Sequence, residues 1–377
     1  MIWDTAKPEL LCKWKSWWME RHPYDIGDYS WSFLFERGKQ IRAHLFCELW
    51  NYLCPDKPPC IEIAFMIECV HVTSLILDDL PWIDNASERR GWQTLHSKFS
   101  IRKALLLAHD VLELAYEVGK SQSTVPIDEQ SPHSIWYKWC QTKATILWHG
   151  QWLDLSRNGS LEELAQMKTG ILFECVTELV ALFLGLDSHF WREWGKTIGI
   201  LFQWIDDWND RDEDLFIKQR NAFNESYDWT ITRYTELWSK VVQGIGREWW
   251  NRSFGIYLWN YFTALYSIPP SIPFLYSLTD LPYLFVPSSL PPSPSLTFSD
   301  SLDDTSHRGL LFMRLFIPYL NATSMPYDKE VVDWSLLELW EKDESEWMIW
   351  LEKKEEILPF LKPLRHLESM IQSATKP

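Results

Sequence analysis

From about residue 30 to residue 265 apolar side chains recur at intervals of three and four, so the dominant period of the chain is helical. The stretch from Ile61 to Asp79 contains no Gly or Pro, and Ala64, Glu68, His71, Leu75 and Asp78 fall on one stripe of a helix. Similar runs cover residues 101–119, 135–155, 161–186, 191–210 and 226–265. Strand-like alternation is weak throughout, and glycine supplies only 14 positions. The pattern predicts an all-α protein, with breaks at Pro55 to Pro59, at Pro81 and in the loop Ser121 to Pro132.

Composition changes the picture after residue 265. Eight prolines lie between Pro269 and Pro294 among many serines, which excludes a regular helix there. Helical patterning then returns from about Ser306, with Glu/Lys-rich faces such as Trp334 to Glu356. The expected organisation is a catalytic region over residues 1–265, a Pro/Ser-rich connector over 266–305 and a helical C-terminal extension over 306–377. The 377 residues carry a formal charge of −16, which leaves no basic excess for nucleic acid or anionic lipid. Tryptophan is abundant at 25 positions, a surplus that suits a carbohydrate surface, a membrane-interface belt or an unusual core equally well.

Seven cysteines without a Cys-x-x-Cys pair read as free, buried thiols in a reducing compartment. No apolar stretch is long enough to span a bilayer, and the first residues lack a signal-peptide core, so the expected location is cytoplasmic.

Two carboxylate clusters carry the candidate chemistry. Asp78 and Asp79 end one apolar helix at Pro81, Asp84 returns from the loop, and Arg89 and Arg90 follow. In the second cluster Asp206 and Asp210 are one turn apart, beside Asp207 and its i,i+4 partner Gln203. Carboxylates so placed repel one another unless a cation lies between them, and hard oxygen ligands suit magnesium, whose usual partner is a phosphate.

These clusters belong to an ordered set of motifs that resembles the trans-isoprenyl diphosphate synthases, the polyprenyl synthetase family. Gly38-Lys39-Gln40-Ile41-Arg42 looks like the family's Gly-Lys-x-x-Arg, although Arg37 and Ala43 stand where a Gly and a Pro are usual. Asp78-Asp79 with Asp84 resembles the first aspartate-rich motif, and Arg89-Arg90 the basic pair after it. Gly150-Gln151 with Asp154 and Leu155, then Lys168-Thr169, then Phe202-Gln203 with Asp206, Asp207 and Asp210, follow in the family's order. The loop after Asp210 is short, with Lys218 and Arg220 as its nearest basic residues.

The resemblance implies an isoprenoid synthase-type helical bundle around a central cavity and a homodimer. It implies that three magnesium ions, held by Asp78, Asp79, Asp84, Asp206, Asp207 and Asp210, bridge an allylic diphosphate (dimethylallyl, geranyl or farnesyl), with Arg89, Lys168, Thr169 and Gln203 assisting its departure. Isopentenyl diphosphate, held by Lys39, Arg42, His71 and Arg90, then attacks the cation and loses a proton. Small residues at Val70, Thr73 and Ser74, where the family sets chain length, favour a geranylgeranyl over a farnesyl product. Two other readings share the fold: a terpene synthase that cyclises without isopentenyl diphosphate, and a non-catalytic subunit that binds a partner through the tail. The retained basic residues oppose the first, and the intact aspartates oppose the second.

Overall fold

The computed structural model describes residues 2–81, 83–121, 159–217, 219–263 and 265, with single positions between 143 and 157. The connector and the C-terminal extension lie outside the described residues, as do Trp82, Trp152 and Lys218. The architecture is all-α, as the periodicity predicts. Among the described residues one compact unit combines residues 2–10, 40–67 and 143–265, and a second combines 11–39 and 68–121.

Helix α1 (Ile2–Arg21) begins well before the region where the sequence pattern turns helical. Its buried face, Trp3, Leu10, Leu11, Trp14 and Trp18, has the right spacing. Pro8 inside the helix and the half-buried Trp17 on its other side blur that stripe in sequence.

In the first unit, α3 (Ile41–Leu53) and the start of α4 (Ile61–Asp78) are followed by the short α7, Leu161–Ala165 below, and three long helices. The long helices are α8 (Ile171–Leu184), α9 (Ser188–Asn209) and α11 (Ala222–Gly244). Helix α9 packs along α8 and α11, and α3 packs on α8. The Asp187 side chain caps α9 by accepting from the His189 backbone N–H at 3.0 Å. A Cβ placed on Gly199 would lie 2.4 Å from the Cα of Gly170, so α9 meets the start of α8 backbone to backbone and needs glycine at the crossing.

The run expected as one helix over 226–265 is three. Helix α11 stops at Gly244, an extended Ile245 and Gly246 follow, and α12 (Arg247–Trp250) and α13 (Ser253–Thr263) complete the segment. Paired glycines interrupt a helix that apolar periodicity alone would continue. The tryptophan surplus resolves here as core. Trp204, Trp238, Trp249 and Trp250 are essentially inaccessible, and Trp238 meets Trp250 and Trp259 edge-on, each at 5.4 Å between centroids.

In the second unit α2 (Asp25–Trp31) runs into a π-helical turn at Ser32–Glu36. The C-terminal part of α4, a small hairpin of β1 (Glu88–Arg89) with β2 (Trp92–Gln93), and helices α5 (Leu95–Lys98) and α6 (Ile101–Ser121) complete the unit. The hairpin is a departure from the strand-free expectation. Its two-residue turn places Arg90 at φ 55° and Gly91 at φ 75°, the combination that matches strand twist and that Gly supplies without strain. No helix among the described residues is long and apolar enough to cross a membrane. Cys12, Cys47, Cys54, Cys60, Cys69 and Cys175 are free; Cys47, Cys69 and Cys175 are buried as expected, Cys54 and Cys60 are half-buried, and Cys12, on the open side of α1, is exposed.

Candidate functional site

The first aspartate cluster lies in the second unit. Helix α4 ends at Asp78, where the chain turns: the Asp84 N–H donates to the Asp78 carbonyl at 2.9 Å and the Ala86 N–H to the Asp79 carbonyl at 3.2 Å. Asp79 is only 2% exposed. One of its carboxylate oxygens, Oδ1, takes both the Nε of Arg89 at 2.7 Å and an Nη at 2.6 Å. The other, Oδ2, is buried and has no hydrogen-bond partner among the described residues. Burial outweighs the arginine and raises the Asp79 pKa to about 6. Asp84 and Arg90 are exposed, while Asp78 and His71 are half-buried on the cluster's helix.

The hairpin is what delivers Arg89. Tyr29 on α2 donates its hydroxyl to the Gln93 carbonyl at 2.8 Å and stacks on Trp92 at 4.9 Å. Arg37 covers the same indole, its guanidinium carbon 3.8 Å from the ring centre. A cleft of this unit is lined by Phe33, Leu34, Arg37, Val72, Leu75, Arg89 and Arg90. Arg37 was legible in the sequence only as a departure from the family pattern; the structure puts it beside the basic pair. Lys39 is exposed on the segment that leads into α3.

The second cluster lies in the first unit, on the last turns of α9. Thr169 donates to the Gln203 side-chain oxygen, and the Gln203 amide donates in turn to Asp207 Oδ1 at 2.8 Å. Asp207 Oδ2 accepts from the Ala222 N–H at 3.0 Å, so both oxygens are held by neutral donors. Its pKa rises to about 7, with burial the leading cause and those two donors opposing it. Asp206 accepts from the Tyr261 hydroxyl at 2.6 Å, and Asp210, at the C-cap of α9, is exposed.

Lys168 and Thr169 lie on a π-helical turn, Gln166–Gly170, the kind of irregularity that re-aims side chains at functional sites. Lys168 pairs with Asp154, which gives that motif residue a partner. Arg42 is buried with its guanidinium 4.9 Å from the Phe173 ring, and Phe173, Phe202 and Tyr261 continue as an aromatic chain toward Asp206. Tyr261 carries no local signal, since it lies 55 residues beyond the carboxylate it serves.

Val70, Thr73 and Ser74 are all buried. The hydroxyls of Thr73 and Ser74 donate to the carbonyls of Cys69 and His71, at 2.9 and 2.8 Å, so the polar atoms are satisfied within their own helix.

The unpartnered, buried Asp79 Oδ2 and an all-carboxylate donor set fit a hard divalent cation. Among the described residues neither aspartate cluster brings three donors within 4.8 Å of one another. That spread is compatible with ions that take one or two carboxylates each and complete their shells with water and phosphate.

The polyprenyl synthetase family model matches residues 26–221. Geranylgeranyl diphosphate synthase of Cereibacter sphaeroides is 28% identical over 175 residues, covering 46% of this chain and 60% of the relative. The enzyme of the same name from Cyanophora paradoxa is 33% identical over 201 residues, covering 49% and 64%. The chain thus spans less than two thirds of the length of either relative. An isoprenoid synthase family member from Thermotoga neapolitana shares the fold, with a TM-score of 0.55 at 22% identity over 68% of this chain and 98% of that one. More than half of the sequence matches the family model, the helical fold is that of an isoprenoid synthase, and both aspartate clusters end helices in the order the family requires: the chain belongs to the polyprenyl synthetase family.

Proposed function

We propose that the protein is a magnesium-dependent prenyltransferase that condenses isopentenyl diphosphate with an allylic diphosphate into a short-chain all-trans prenyl diphosphate. The observation that carries this reading is Asp79, buried at a helix end with one oxygen held by Arg89 and the other without a hydrogen-bond partner among the described residues. A binding-only protein gains nothing from a buried carboxylate left half-satisfied, which is costly in the absence of a ligand.

Asp78, Asp79 and Asp84, together with Asp206, Asp207 and Asp210, would hold the cations. When bound, magnesium supplies the charge that lets a diphosphate leave an allylic carbon. The chain's own part is to position and to donate. Arg89 fixes Asp79, while Gln203 and the Ala222 N–H fix Asp207. Lys168, whose charge acts on Asp207, would exchange Asp154 for a diphosphate oxygen. Lys39, Arg42, His71 and Arg90 are assigned to isopentenyl diphosphate, with Arg37 as an added guanidinium in the cleft beside Arg90. The small, internally bonded side chains of Thr73 and Ser74 leave the α4 face without a bulky group, which supports a twenty-carbon product. The names of the two relatives agree with that choice. A homodimer in the cytoplasm is the assembly and location this reading carries.

The test is an incubation of purified protein with magnesium, labelled isopentenyl diphosphate and dimethylallyl, geranyl or farnesyl diphosphate, with the products sized. Label in a linear prenyl diphosphate supports elongation, an unlabelled hydrocarbon supports cyclisation instead, and no turnover with any primer defeats both. Thr73→Phe should shorten the product.

A further inference from the structure

Helix α6 and the end of α1, both parts of the second unit here, carry a constellation that prenyl transfer does not use. His109, Asp110 and Glu113 each offer one donor atom, and these atoms lie within 4.8 Å of one another. Their spacing puts them on one face, His109 and Glu113 a full turn apart. His22, the residue after α1, approaches from the other element. It is 8% exposed, and its Nε2 lies 3.0 Å from Asp110 Oδ2. The contact is an ion pair with Asp110, and the Nε2 makes no well-formed hydrogen bond among the described residues.

The imidazole is held in place from behind. Its ring packs on Trp18 at 4.5 Å, and the His22 N–H donates to the Trp18 carbonyl at 2.9 Å. On the opposite side of Asp110, His109 Nδ1 lies 3.0 Å from Oδ1. One carboxylate is therefore flanked by two ring nitrogens, with a second carboxylate one turn further along. Arg21 approaches Glu113 at 3.8 Å but stacks on Trp17 with its guanidinium carbon 3.5 Å from the ring centre.

We infer that His22, His109, Asp110 and Glu113 form a transition-metal site of the zinc class that ties the end of α1 to α6. Two donors bound to one zinc ion at ~2.0–2.2 Å lie no more than about 4.4 Å apart; the atoms of His109, Asp110 and Glu113 already lie within 4.8 Å of one another, and His22 joins the set through its 3.0 Å approach to Asp110. Two imidazoles and two carboxylates suit zinc, whereas magnesium takes oxygen ligands and keeps its waters. A metal ion also accounts for the buried His22 nitrogen, which the ion pair leaves without a well-formed hydrogen bond among the described residues.

The test uses the full chain, stripped of metal with EDTA and dialysed, then titrated with zinc chloride in excess magnesium by calorimetry, with bound zinc counted by elemental analysis. One equivalent at micromolar affinity or tighter is expected. His109→Gln, Glu113→Gln and His22→Gln should each weaken binding by about tenfold or more, and Asp78→Ala should leave it unchanged. Should His22→Gln fail to fold, Glu113→Gln at the half-buried edge decides the matter. Cobalt(II) in place of zinc should give the intense visible bands of a tetrahedral site in the wild type and lose them in Glu113→Gln. The inference is overturned if the wild type retains no zinc, if the three variants bind as tightly as the wild type, or if Asp78→Ala abolishes binding.

Discussion

The two aspartate clusters are alike in composition and differ in how their carboxylates are held. In the second unit Asp79 is neutralised by a charge, since Arg89 places two nitrogens on one oxygen. In the first unit the hydrogen bonds to Asp207 come from neutral donors, the Gln203 amide and the Ala222 N–H, while the charge of Lys168 acts on it from outside them. Both pKa values rise because burial disfavours the ionised form. The arginine keeps Asp79 near 6, while Asp207, with neutral donors, reaches about 7. A salt bridge orients the buried carboxylate of the first cluster and offsets part of its burial, whereas neutral hydrogen bonds orient that of the second.

The comparison can be broken in several places, beginning with the largest effect. Asp78→Ala or Asp206→Ala should each lower turnover by about 10³-fold, with the helical circular dichroism unchanged. Turnover within tenfold of wild type in either variant would remove that cluster from the chemistry. Next, at pH 8, Arg89→Ala should destabilise the fold by about 3–5 kcal/mol, because it strands a buried carboxylate. Gln203→Ala removes only neutral hydrogen bonds and should cost about 1 kcal/mol. Equal losses in denaturant titrations would show that the two carboxylates are held alike.

The pH dependence follows from the raised values. A carboxyl whose folded pKa lies above its unfolded value favours the folded state at low pH, and that advantage disappears as pH rises through the folded pKa. Without divalent cation, ionisation of Asp79 and Asp207 should lower stability by several kcal/mol in all as pH climbs from about 4 to above 7. Added magnesium should restore the thermal midpoint mainly at the upper end of that range. A midpoint that is flat with pH, or a magnesium effect equally large at pH 5, would contradict the assignment. The smallest effect belongs to Tyr261→Phe, which removes one hydrogen bond to Asp206 and should raise the magnesium concentration for half-maximal rate severalfold, about 1 kcal/mol.

Much of this was legible along the chain. Helix α4 and its end at Asp78 follow from an unbroken apolar stripe and from Pro81, and the spacing of Asp206, Asp207 and Asp210 on α9 is a local property of helix geometry. Pro8 and Trp17 obscure the buried stripe of α1, and over 226–265 the apolar period outweighs the glycine pair that divides the segment. The hairpin that carries Arg89 is too short to show alternation, and only the Arg90-Gly91 turn betrays it.

The helical class, the family and the residue types at the ends of α4 and α9 can be read along the chain, because helical period and motif order are one-dimensional properties. Only the tertiary structure decided which partner each carboxylate has: Arg89 for Asp79, Gln203 and Ala222 for Asp207, Tyr261 for Asp206. It also decided that most of the described tryptophans of the first unit are core, and that His22 meets Asp110 across 88 residues of chain. The physical reason is that burial and directed donors set the charge and reach of a carboxylate, and both depend on groups that the chain brings together only when it folds.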